Sequence, residues 1–96
     1  MAIYYFWLTS ALLAVRRVKL RVAMGGHDVP EDTVRRRYAR SVSNFLMLYL
    51  PLANDWTVYD NSSAKQARMI ASFANGTLNV LEPTPWLKLK KQAKAE

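Results

Sequence analysis

The chain has 96 residues, a formal net charge of +7 and no cysteine. That length holds one small domain on the usual ~100–200 residue scale, with a core that is possible but thin. The charge favours anionic partners such as nucleotides, other polyanions or nucleic acid. The lack of cysteine excludes disulfides, thiolate zinc sites and a cysteine nucleophile, and one histidine with seven scattered carboxylates makes a poor metal-ligand set.

Ile3-Tyr4-Tyr5-Phe6-Trp7-Leu8 is aromatic, β-branched at its start and continuously apolar. Without alternation, it reads as a strand covered on both faces, as in a parallel α/β sheet. The apolar run from Ile3 to Val15 is shorter than the ~20 residues of a membrane-spanning helix. Its positive residues, Arg16, Arg17 and Lys19, follow it rather than precede it as in a signal peptide. A cytoplasmic location with no membrane partner is the expectation.

Thr9 or Ser10 can cap a helix over Ala11 to Met24, in which Leu12, Val15, Val18 and Val22 recur near helical spacing. Gly25 can end it in the left-handed conformation. Asp28-Val29-Pro30-Glu31-Asp32 opens a second helix, with proline tolerated in the first turn and acids favoured at its positive end. Val34, Tyr38, Val42, Phe45, Leu48, Tyr49 and Leu52 form its predicted apolar stripe, and Pro51 ends or kinks it.

Trp56 to Asp60 reads as a second strand. Asn75-Gly76 between two β-prone runs, Ala67 to Phe73 and Thr77 to Leu81, signals a hairpin. Glu82-Pro83-Thr84-Pro85 reads as a break before a short basic helix from Trp86 to Lys94. The expected class is α/β: parallel strands with helices, followed by a hairpin. Nothing in the 96 residues supplies the first half that such a parallel sheet needs.

The segment Arg21 to Arg40, RVAMGGHDVPEDTVRRRYAR, concentrates the chemistry. Arginines stand on both sides of a Gly25-Gly26-His27 hinge: Arg21 before it, and Arg35, Arg36, Arg37 and Arg40 after it. Guanidinium groups bind phosphate oxygens in bidentate fashion and keep their charge. A solvated helix face is the alternative, but at ~100° per residue three consecutive arginines cannot share one face, so one turns toward the hinge or the sheet. His27 suits a loop cap or a substrate contact. Asp60-Asn61, at a strand end, suits a base or ribose contact, or an Asx turn. Tyr4, Tyr5, Phe6, Trp7, Tyr49 and Trp56 read as core rather than as a base-stacking platform. The chain contains no G-x-x-x-x-G-K-[ST] phosphate loop, dinucleotide fingerprint, G-x-S-x-G or H-E-x-x-H.

About residues 3–63 resemble the carboxyl half of the zeta-toxin-like P-loop kinases, often labelled predicted ABC-type ATPases, known from toxin–antitoxin systems. The resemblance is carried by the strand ending Trp7-Leu8, by Arg17-Val18 and Arg21-Val22, and by Gly25-Gly26-His27-x-Val29-Pro30. It continues through Arg36, Arg37 and Arg40, then Leu48-Tyr49, Pro51-Leu52-Ala53 and Tyr59-Asp60-Asn61-Ser62. It implies a partial P-loop NTPase-type fold in which 3–24 form a core strand and helix, 25–52 a lid hinge and lid helix, and 56–60 a further core strand. The hairpin at 68–81 and the helix at 85–94 follow. It also implies ATP and magnesium as cofactors, Arg21, Arg36, Arg37 and Arg40 as lid arginines on the phosphates, and Asp60 and Asn61 near the adenine. The related toxins phosphorylate a nucleotide sugar, with substrates varying across the family.

The chain departs from the pattern in lacking the phosphate loop and the acid expected before the lid. The first expectation is therefore a truncated, split or fragmentary kinase that binds phosphate but does not catalyse alone, with an amino-terminal half as a possible partner in trans. A small basic nucleic-acid-binding module is the second. Against it, the GGHDVPED connection is longer than a helix-turn-helix turn of ~3–4 residues. An interaction protein pairing through the Tyr4–Leu8 strand is the third. Self-association through the amino-terminal strand, placed where a sheet edge would be exposed, is a further expectation.

Overall fold

The structure is a computed structural model describing residues 2–63 and 65–94. It is an α/β fold with a mixed four-stranded sheet in the order β1-β2-β3-β4. β1 (Ala2–Trp7) pairs in parallel with β2 (Asp55–Asp60), Ala2 opposite Asp55 and Trp7 opposite Asp60. β3 (Arg68–Ala74) runs antiparallel to β2, and β4 (Thr77–Val80) returns antiparallel to β3. The hairpin turns on Asn75 (φ 53°) and Gly76 (φ 73°), the two positive φ values that a two-residue type I′ turn requires.

α1 (Ala11–Ala23) and α2 (Glu31–Asn44) make the crossover from β1 to β2. Of the two candidate caps, Ser10 serves, its Oγ accepting from Leu13 N at 3.2 Å. Thr9 N instead donates to Ser62 Oγ at 3.0 Å. The end of α1 is a Schellman motif: Gly25 N donates to Val22 O at 3.0 Å and Gly26 N to Arg21 O at 2.7 Å. Gly25 has φ +98°, and a Cβ on Gly26 would lie 2.9 Å from Arg21 O. The paired glycines are thus spent on stopping a helix, and Pro30 stands as the N-cap of α2 rather than within its first turn.

One face of the sheet is covered by α2, its π-helical extension at Phe45–Tyr49, and α3 (Pro83–Lys94). The core is an aromatic ladder. Tyr5 stacks on Phe45 at 4.1 Å, Phe45 meets Trp56 edge-on at 6.4 Å, and Trp56 stacks on Phe73 at 6.0 Å and on Trp86 at 5.4 Å. Val58, Ile70 and Leu89 complete it. Ile70 and Ala71 are both buried because the β2–β3 register shifts beside Val58 and Tyr59, placing two successive residues inward.

Several expectations need correction. β1 is an outer strand covered on one face only: Ile3, Tyr5 and Trp7 face the helices, while Tyr4 and Phe6 are 66% and 56% exposed. Tyr49 is also exposed, so half of the aromatic set assigned to the core lies outside it. The α2 stripe holds through Val34, Tyr38, Val42 and Phe45. Beyond that, Leu46 and Leu50 pack inward and Leu48, Tyr49 and Leu52 do not. The cause is the wider π turn, in which Leu50 N donates to Phe45 O, followed by a 3₁₀ turn at Leu50–Leu52 carrying Pro51, which has no N–H to donate. Pro83 and Pro85 do not break the chain before α3 but form its first turn, where missing amides cost nothing.

The carboxyl end of β1 is tied down by Gln92 of α3. Its Oε1 accepts from Trp7 Nε1 at 3.1 Å and from Tyr38 Oη at 2.9 Å, and its Nε2 donates to Thr9 O at 2.9 Å. The one Tyr38 hydroxyl proton is shared between Gln92 Oε1 and Leu8 O, the latter at 2.5 Å. Gln92→Leu preserves bulk but orphans the buried indole N–H and the Thr9 carbonyl. We expect it to destabilise the fold by about 2–6 kcal/mol, at ~1–3 kcal/mol for each of the two unsatisfied groups, measured by urea denaturation.

Candidate anion site

α1 and α2 pack against one another as a helical hairpin rising from the carboxyl end of β1. Between the hairpin and the outer strand lies a cleft of about 380 Å³, whose lining includes Tyr5, Phe6, Arg17, Arg21, Arg37 and Tyr38. Arg21 comes from the last turn of α1 and Arg37 from the second turn of α2. A second groove of about 450 Å³ continues along β1, with Ile3, Tyr5, Arg37, Arg40 and Ser41 in its walls. Arg36 and Arg40 share a shallower hollow of about 100 Å³ with Thr33 and Arg37.

The three consecutive arginines take three directions. Arg35 pairs with Glu31 at 3.1 Å, four residues earlier on the same helix face. Arg36 donates to Thr33 Oγ1 at 3.2 Å on the outer face. Arg37 faces the sheet side and lines both the cleft and the groove along β1. The structure therefore brings Arg21 and Arg37 to one cleft, and Arg37 and Arg40 to the next, while Arg36 meets Arg37 and Arg40 only at the shallower hollow. Among the described residues the ion pairs are Arg35–Glu31, Arg68–Asp60 and Arg68–Glu82. Arg21, Arg37 and Arg40 thus enter none of them.

His27 is exposed in the loop that follows the glycine cap. Asp60 is buried and engaged: Oδ1 accepts from Ser62 N at 2.9 Å, an Asx turn, and Oδ2 lies 3.5 Å from Arg68. Neither Asp60 nor Asn61 lines the arginine cleft. Asn61 N continues the parallel ladder to Trp7 O at 2.7 Å.

Arg17, outside the candidate phosphate ligands of the sequence, links the two parts of the expected site. It lines the cleft and donates to Asn61 O at 2.7 Å and Ser62 O at 3.1 Å. The signal was its four-residue spacing from Arg21, which puts both on one face of α1. Tyr38 and Ser41 are the other residues that only the structure reveals. Burial is the main reason the Tyr38 phenol is pushed up to about 12, its hydrogen bond to Gln92 opposing this. Burial likewise raises Tyr5, with the Ser41 hydroxyl at 3.2 Å acting in the other direction.

Guanidinium groups from two helices above a partly apolar floor can grip a multiply charged anion whose body rests on the Tyr5 ring. For magnesium, the described residues offer no cluster of three histidine, aspartate or glutamate side chains. No described helix is long and apolar enough to cross a membrane. Comparison of the chain with protein-family models, with curated proteins and with solved structures finds no match in any of the three.

The floor of the cleft also titrates in a definable window. Because the folded Tyr38 holds its proton more tightly than an unfolded tyrosine, its contribution to stability is full below about pH 10. It is lost as pH rises toward about 12. We expect phenolate absorbance to show at least one late-titrating tyrosine, and Tyr38→Phe to flatten the fall in stability across that window.

Proposed function

We propose that the chain is the lid-bearing part of a zeta-toxin-like P-loop kinase fold, binding the phosphates of a nucleoside triphosphate such as ATP without catalysing transfer alone. The observation that supports this best is the meeting of Arg21 and Arg37, from different helices, at one cleft free of counter-carboxylates among its lining residues. Arg40 extends the positive wall and Arg36 lies at its outer rim. Arg17 positions the strand ends beneath it through Asn61 and Ser62.

Phosphoryl transfer draws its catalysis from a phosphate-cradling loop, positioned magnesium and a group that orients the nucleophile. The 96 residues contain no phosphate loop, and Asp60, the acid at a strand end, is already held by Arg68 and Ser62. Magnesium would arrive on the nucleotide, and no step is assigned to it here. The role left to the arginines is to hold and neutralise phosphate presented together with another chain.

Calorimetric titration with ATP tests the reading. Arg21→Ala with Arg37→Ala should weaken binding by at least ~10-fold, given ~1.5 kcal/mol for one charge-assisted hydrogen bond. Arg35→Ala, which removes only a surface pair, should leave binding intact. The purified chain should not turn over ATP. Tight binding of duplex DNA at moderate salt with no ATP binding would instead establish the nucleic-acid reading, for which steep salt dependence is the signature.

A further inference from the structure

We propose that the outer edge of β1 accepts an extended segment of a partner protein as a fifth strand, one that alternates acidic and apolar side chains. This does not rest on the nucleotide reading.

The backbone defines the seat. Within a strand, neighbouring residues turn their N–H and C=O groups to opposite sides. Trp7 O accepts from Asn61 N beyond β2, so Ile3, Tyr5 and Trp7 spend their amides on β2. Tyr4 and Phe6 therefore turn theirs to the outer edge. Leu8 O points the same way and is taken by Tyr38, which closes the upper end of the seat. The strand AIYYFW has no charge and no proline, and the register shift lies between β2 and β3. β1 thus lacks the usual devices that keep an edge from pairing.

The two sides of the seat differ in chemistry, which sets the partner's pattern. Side chains of an added strand alternate between faces. On the helix side they enter the groove beside Ile3 and Tyr5, where Arg37, Arg40 and Ser41 form the wall. A glutamate fits this side, its stem on the aromatic floor and its carboxylate toward guanidinium groups that no described carboxylate engages. On the opposite side they meet the exposed rings of Tyr4 and Phe6, Phe6 being stacked on Tyr59 at 5.0 Å. An apolar residue fits there. A second copy of the chain is the weaker occupant. It would align two sets of the same arginines along one seam, with +7 on each chain, and like charges across an interface are costly.

The test uses the full chain at neutral pH with a short synthetic peptide alternating glutamate and valine, and a lysine–valine peptide as control. Binding is followed by fluorescence anisotropy of the labelled peptide, and backbone amide exchange by NMR. We expect the glutamate peptide alone to bind and to slow exchange at Tyr4 and Phe6. Arg37→Glu with Arg40→Glu should weaken it by at least ~10-fold, as reversing interfacial charges does. Tyr4→Pro removes an outward N–H without touching the β2 ladder, so it should abolish peptide binding while ATP affinity is unchanged. That separates failure of this proposal from failure of the nucleotide reading, and the arginine variant still decides if Tyr4→Pro does not fold. Equal binding of the lysine peptide, or binding that leaves Tyr4 and Phe6 exchange unchanged, would overturn the proposal. So would a concentration-dependent dimer that already protects those amides.

Discussion

The fold depends on satisfying the polar groups where β1 leaves the sheet. Trp7 is fully buried there, yet its indole N–H and the carbonyls of Leu8 and Thr9 need partners. An unsatisfied buried donor or acceptor costs more than a made hydrogen bond returns. Gln92 meets most of that need, taking the indole and giving its amide to Thr9, while Tyr38 takes Leu8. One amide side chain near the far end of the chain therefore fixes the first strand to both α2 and α3. The position of α2 over β1, and hence of its arginines, follows from that lock.

With α2 and α3 so placed, the sheet has two unlike faces. The covered one is filled by rings from β1, the end of α2, β2, β3 and α3, packed stacked or edge-on. The other carries Tyr4, Phe6 and Met69 in the open, with Tyr59 half-buried beneath Phe6. The same strand that supplies the core through Tyr5 and Trp7 supplies exposed aromatics through Tyr4 and Phe6, because side chains alternate along it. Its position at the sheet edge also places free backbone groups next to both faces. Chemistry is thereby concentrated along β1 rather than at the hairpin end of the sheet.

Helical geometry sorts the arginines in the same way. Steps of ~100° send Arg35 toward Glu31, Arg36 outward and Arg37 to the strand. The Schellman stop at Gly25-Gly26 brings the end of α1 back against α2, so Arg21 comes to the same cleft as Arg37. The conformational demand on these glycines is thus met by a helix cap whose consequence is the meeting of two cations. A cleft made this way suits an anion whatever its source.

Much of the local structure is legible in residue order. Ser10 as a cap, the glycine stop, the Asn75-Gly76 turn and the helical spacing from Val34 to Phe45 each reflect interactions within a few residues, which propensity and periodicity encode directly. So does the divergence of Arg35, Arg36 and Arg37. What residue order could not reveal is which apolar segment finds a cover. An apolar run reads the same whether it lies in the middle of a sheet or at its edge, so the exposure of Tyr4 and Phe6 emerged only from the strand order. The π turn at Phe45–Tyr49 moved the stripe from Leu48 and Leu52 to Leu46 and Leu50, because packing against the sheet outweighs a regular period over the last turns. The engagement of Asp60 with Arg68, of Arg17 with Asn61 and of Gln92 with Trp7 spans long separations in the chain. Such pairings depend on three-dimensional proximity that no local pattern records, and they decide which charged groups are left for a ligand.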